Sequence, residues 1–204
     1  MSDLENGDAF TVLVVCTGNI CRSPVAEAIL RDRLQAAVPR SAPVVVVSAG
    51  TGCQPGTAID GRAALTLERL GIPVGLPLAQ QLTAELVRSA DLVLGASREH
   101  RAAAVRLAPA VSARAFTMRE FDRLLADLGP AVDPPASPLA RGRALVRAAA
   151  QHRGVSLPDK PEDDDIPDPY RRSNSSYDAS MAVLVEALHR PVARLIAALE
   201  LSNP

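Results

Sequence analysis

Residues 10–15, FTVLVV, are an unbroken apolar, largely β-branched run that ends at Cys16, and the chain turns polar immediately afterwards. A run of this length without alternation reads as a strand covered on both faces. Thr17, Gly18 and Asn19 tolerate turn and left-handed backbone. Ser23-Pro24 then opens a helical segment, VAEAILRDRLQAAV, with Pro24 suited to a first helical position.

The same alternation repeats. Residues 43–48 (PVVVVS) form a second buried strand, and Ala49-Gly50-Thr51-Gly52 turns the chain at its end. Strand, helix, strand implies a parallel pair joined by a right-handed crossover. Helices are expected over 59–70, stopped by Gly71, and over 82–89. A third strand at 91–95 (DLVLG) precedes a helix at 97–107 that Ser97 can cap. A weaker fourth strand is expected at 111–116 and a short helix at 118–128. The fold class is therefore α/β, a three-layer sandwich with a central four-stranded parallel sheet flanked by helices on both faces.

From residue 129 onward prolines accumulate, and the stretch reads as loop with one arginine-rich helix at 139–152, weakened by Gly142. Such a stretch is either functional or a surface excursion. The apolar stripe of residues 177–201 is a closing helix, with a kink expected at Pro191. The organisation is one flexible segment, 1–9, then one domain, 10–204, carrying a proline-rich excursion at 129–161.

A strand, a small polar loop and a helix N-terminus make a cradle for an anion: loop N–H groups converge, and the helix adds roughly half a positive charge. Arg22 adds a planar fork of donors matched to two phosphate oxygens. Cysteine thiols in such fields are commonly nucleophilic thiolates at neutral pH, which makes Cys16 the candidate nucleophile. Ser23 can donate its hydroxyl to the sulfur. Cysteine, five residues, arginine and serine form the signature C-x5-R-[ST], and CTGNICRS resembles the low-molecular-weight protein tyrosine phosphatase family.

A phosphocysteine mechanism also needs an acid to protonate the leaving alkoxide or phenoxide. In DDDIPDPYRRS, Asp168 lies between two prolines, and Asp168-Pro169-Tyr170 before the final helix is similar to the family's D-P-Y loop. The resemblance implies Cys16 as nucleophile, Arg22 as phosphate clamp, Asp168 as general acid, and Asn19 and Ser23 as loop-shaping and thiolate-bonding residues. Thr17, Gly18, Ile20 and Cys21 complete the substrate loop, and Tyr170 walls its entrance. Asp165 is the alternative acid, and Glu162 to Asp165 otherwise read as a solvated charge run.

Cys21 is either a redox partner of Cys16 or a plain loop residue, and Cys53 reads as a bystander. The resemblance departs at Gln54, where the bacterial branch usually has an aromatic, at Arg171, where many relatives have another, and in LPLAQQL, which lacks the usual His and Arg. A related branch acting on phosphoarginine carries threonine at the position of Ile20, so Ile20 speaks for an aryl phosphate.

Net charge is −1 and Lys160 is the only lysine, so no basic surplus points to nucleic acid. No apolar run reaches the eighteen or so residues of a membrane span, and the acidic N-terminus is unlike a secretory signal. Three cysteines, two of them in one loop, fit a reducing, cytoplasmic compartment. His100, His152 and His189 read as ordinary surface or helix residues, and no metal or cofactor is required. The expected substrate is a phosphorylated protein or small aryl phosphate; the sequence sets no oligomeric state. Two other functions fit the same loop: an arsenate reductase resolved by an external thiol, and a non-catalytic phosphate-binding regulator.

Overall fold

The computed structural model describes residues 9–38, 43–75, 78–129 and 135–200. The expected flexible segment lies, apart from Ala9, outside them. Four strands, β1 (Phe10–Cys16), β2 (Val44–Gly50), β3 (Leu92–Gly95) and β4 (Ala115–Thr117), form one parallel sheet in the order β2-β1-β3-β4. Helices are α1 (Arg22–Ala37), α2 (Gly61–Arg69), α3 (Ala84–Ser89), α4 (Arg98–Leu107), α5 (Met118–Ala126), α6 (Pro138–Gln151) and α7 (Asn174–Leu199).

The period of two in β1 divides the core. Phe10, Val12 and Val14 join one apolar cluster with residues of α1, α2, α5, α6 and α7, whereas Leu13 and Val15 join another with Val87 of α3 and Ala104 of α4. Both faces of the central strand are thus covered. This is the expected three-layer sandwich.

The fourth strand is shorter than expected. Residues Pro109–Arg114 form a 3-10 helix that buries Val111, leaving only Ala115–Thr117 in the sheet. Pro109 fixes φ and lacks the N–H that a ladder needs, so the segment satisfies its apolar residue as a turn. Thr117 then caps α5 reciprocally with Glu120. Helix α3 begins later than residue 82, because Leu82 N–H donates to Gly50 O while Thr83 caps the helix through Leu86 N.

Within the proline-rich stretch, α6 packs on the domain through Val146 and Ala149. Gly142, which reads in the sequence as a weak point, is a contact point. A Cβ there would stand 3.0 Å from the Phe10 ring and 3.0 Å from Leu199. Arg141 Nε donates to Ala198 O at 2.9 Å, and Arg143 pairs with Asp91 at 2.8 Å. The closing helix α7 runs through Pro191 as one element of 26 residues.

Candidate active site

Strand β1 delivers Cys16 to the C-terminal edge of the sheet, opposite Gly50 of β2, and the loop 17–21 leads straight into α1. The turn after β2 braces this loop from beneath: Thr51 N–H donates to Cys16 O at 2.9 Å and Gly52 N–H to Thr17 O at 3.0 Å. Gly50 is required there, because a Cβ would lie 2.6 Å from Thr17 O. Among the described residues, no backbone N–H of residues 17–22 donates to a backbone carbonyl. These donors are left for an anion, with the start of α1 behind them.

Asn19 holds the loop's shape. Its backbone is left-handed, with φ 53°, a conformation asparagine tolerates better than most residues. Its Oδ1 accepts from Gln80 N at 2.9 Å, which fixes the amide's orientation, and its Nδ2 donates to Ser23 Oγ at 2.9 Å and Ser48 Oγ at 2.8 Å. Ser48 in turn donates to Glu27 Oε2 at 2.6 Å. Because Ser23 Oγ takes a hydrogen from Asn19, its own hydrogen can turn to Cys16 Sγ, 2.9 Å away. Cys16, Asn19 and Ser23 are all buried.

Arg22, also buried, connects this loop to the other end of the chain. Its Nη1 donates to Ile166 O at 3.1 Å, and its Nη2 lies 2.8 Å from Asp168 Oδ2. The Asp168 side chain is 52% exposed, so its carboxylate sits at the border of solvent. Tyr170 N–H donates to Asp168 Oδ1 at 3.1 Å, closing a local Asx turn. The segment is anchored by Ile166 N–H to Ala96 O at 2.8 Å and by Ser180 Oγ to Pro167 O at 2.7 Å.

Asp165 faces elsewhere. It accepts from the backbone N–H of Arg98 at 2.8 Å and from Arg98 Nη2 at 2.9 Å, capping α4. Asp164 pairs with Arg123 at 2.9 Å, and Asp163 accepts from Lys160 N at 3.0 Å. The reading of 162–165 as a solvated charge run is thus corrected: only Glu162, 71% exposed, stays largely in water. Arg98 of α4 takes up Asp165, Arg123 of α5 takes up Asp164, and Asp163 turns back on the N–H of Lys160.

A cleft of about 280 Å³ opens over the loop. Thr17, Gly18, Ile20, Cys21 and Arg22 line one side, and Asp168 and Tyr170 the other. Cys53 and Gln54 reach it too, so Cys53 is part of the cleft wall. Burial, followed by the charge of Asp60, pushes the Cys21 thiol up to about 12. The Tyr177 hydroxyl, itself buried, lies beside this thiol and partly offsets the rise.

One residue of this site is not identified by the sequence analysis. His100 is not an ordinary surface histidine: it is buried, with Nε2 2.9 Å from Thr17 Oγ1 and Nδ1 2.7 Å from Ser97 Oγ. Gly95 at the end of β3 admits it, since a Cβ there would meet Arg101 N at 2.8 Å and the His100 Cβ at 3.2 Å. The close approach of α4 to that glycine has no local signature. A Ser-x-x-His spacing at a helix start was the only available hint.

Known proteins resemble the chain in sequence and in fold. Residues 11–138 match the family model described as low molecular weight phosphotyrosine protein phosphatase. The chain is 46% identical over 84 residues to a probable low molecular weight protein-tyrosine-phosphatase, EpsP, of Ralstonia solanacearum, a stretch covering 41% of this chain and 53% of that protein. It is 36% identical over 111 residues to the phosphatase Etp of Escherichia coli K12, covering 54% and 70% of the two chains. Among solved structures, the tyrosine phosphatase Wzb from Escherichia coli K30 in complex with sulphate superposes with a TM-score of 0.62 at 25% identity, covering 91% of this chain and 97% of that one. The arginine phosphatase YwlE from Geobacillus stearothermophilus gives 0.64 at 25% identity, covering 91% and 92%. With the family model spanning more than half of its length, the chain belongs to the low molecular weight phosphotyrosine protein phosphatase family.

Proposed function

We propose that this protein hydrolyses phosphate monoesters, phosphotyrosine above all, through a phosphocysteine intermediate on Cys16. The observation that carries this reading is the single cluster formed by Cys16 Sγ, Ser23 Oγ at 2.9 Å, the loop amides and the Arg22–Asp168 pair at 2.8 Å. Binding alone requires neither a serine on the sulfur nor a carboxylic acid at the mouth.

In the first step Cys16 attacks phosphorus and the bond to the phenolic oxygen breaks, with Asp168 supplying the proton that the leaving oxygen takes up. The loop N–H groups and Arg22 hold the phosphoryl oxygens, where charge develops, and this electrostatic contribution is expected to be the largest. In the second step water attacks the phosphocysteine, Asp168 accepts the water proton, and the S–P bond breaks to return the thiolate. The Ser23 hydroxyl stabilises that departing sulfur. Ile20 and Tyr170 supply apolar walls for an aryl ring, which favours phosphotyrosine over phosphoarginine. Substrates are phosphorylated proteins or small aryl phosphates, and free thiols at all three cysteines suit action in the cytoplasm.

Rapid acid quench during turnover of p-nitrophenyl phosphate, followed by peptide mapping, tests the reading. Phosphate is expected on Cys16 and turnover without any added thiol. A label on another side chain, or turnover of arsenate alone and only with a thiol present, would replace it.

A further inference from the structure

The acid loop runs on from Tyr170 into Arg171 and Arg172. Among the described residues, Arg171 and Asn19 are the only non-glycine residues with a left-handed backbone, and Arg171 has φ 56°. A long side chain gains nothing intrinsic from that conformation. Its effect is to fold the Arg171 guanidinium back over Tyr170, 5.1 Å from the ring centroid, and Tyr170 walls the cleft. The next carbonyl, that of Arg172, accepts from Arg62 Nη1 at 3.0 Å. The Arg62 guanidinium lies 4.4 Å from the Tyr177 centroid. Arg62 is thereby held against the backbone of the segment that carries Arg171 and Arg172, next to the cleft wall at Tyr170.

Their charge is largely unneutralised. Arg171 and Arg172 are exposed, and among the described residues neither has a carboxylate oxygen within 4.0 Å. Arg62 reaches one carboxylate, Asp60 at 3.7 Å, which also caps α2. Asp168, the nearest acid of the loop, is engaged with Arg22. By contrast, Arg98, Arg123 and Arg153 each hold a carboxylate at 2.9 Å. A peptide whose phosphotyrosine enters this cleft and leaves it past Tyr170 runs beside this segment. Extended chain advances about 3.3 Å per residue, so the first two flanking residues pass within the roughly 8 Å over which charges act at physiological salt.

Resting on the phosphotyrosine reading, we infer that Arg171, Arg172 and Arg62 form an anion subsite that selects phosphotyrosines flanked by aspartate or glutamate. Cation stacking on Tyr170 keeps one guanidinium at the wall, while the others supply a field that needs no fixed pairing geometry.

The test uses two phosphotyrosine peptides that differ only in carrying Glu or Gln on either side. The ratio of their kcat/KM values is measured for the full-length enzyme and for the Arg171→Gln, Arg172→Gln double variant, at low and at 0.5 M salt. The wild type is expected to favour the acidic peptide by about fivefold at low salt, chiefly through KM. Salt and the double variant are each expected to bring the ratio close to one. Equal rates on both peptides, or a preference that survives the double substitution, overturn the subsite while leaving the phosphatase reading intact. Failure to hydrolyse either peptide overturns the reading beneath it.

Discussion

Thr17 Oγ1 and His100 Nε2 stand 2.9 Å apart, joining the residue after Cys16 to helix α4. Burial, reinforced by the positive charge of Arg22, pushes the His100 imidazole down to about 4, so at neutral pH one ring nitrogen donates and the other accepts. His100→Ala is expected to lower kcat by roughly tenfold, the scale of one lost buried hydrogen bond. His100→Gln, which keeps a polar atom near Thr17, should recover most of it in steady-state kinetics. Because the unfolded chain protonates this histidine first, near 6.5, its neutral burial is undisturbed above that pH and costs stability as pH falls toward 4. Urea midpoints between pH 7 and 4 should therefore fall less steeply in a folded His100→Gln variant.

Cys21 gives the opposite limb. Its thiol stays protonated up to about 12 in the folded protein, against 9.0 for the ordinary group. The unfolded chain loses that proton first, so this contribution to stability is complete below pH 9 and declines above it. Thermal unfolding from pH 8 to 10.5 should show a smaller decline in Cys21→Ala. Alkylation at pH 8 is expected to spare Cys21 in the native state.

Two carboxylates three positions apart hold different arginines, Asp168 that of Arg22 and Asp165 that of Arg98. Asp168→Asn should reduce kcat most for substrates with poor leaving groups, on the order of 100-fold for phenyl phosphate and much less for p-nitrophenyl phosphate. Asp165→Asn removes the negative charge and one of the two oxygens that accept from Arg98, and should lower stability without altering that leaving-group dependence. A leaving-group series on both variants checks the assignment.

The contact at Gly142 predicts overpacking. Gly142→Val would push a branched side chain into Phe10 and Leu199, and should destabilise the protein by about 1–3 kcal/mol, read as a shift in the urea midpoint.

What the sequence discloses here is local. Phe10 to Ser23 reads as strand, loop and helix because each step is encoded by neighbouring residues, and the repeated alternation carries the sheet. His100 is silent in sequence because its partner lies 83 positions away and only packing at Gly95 brings them together. The acidic run 162–165 looks like surface charge for the same reason: Arg98 and Arg123, its partners, belong to helices on the far side of the chain's order. Gly142 misleads because helix propensity registers the missing side chain as a weakness, whereas the tertiary contact needs that absence. In the fourth strand, Pro109 outweighs the apolar pattern that follows it.

The hydrogen bond from Arg22 to the Ile166 carbonyl closes a span of 144 residues. Synthesis proceeds from the N-terminus, so the ribosome releases Cys16 and its cradle long before the segment that completes them has been translated. Nascent chains consequently carry Cys16 and Arg22 without the Ile166 and Asp168 partners of that arginine, and the cradle is complete only once the segment around residues 166–168 has docked.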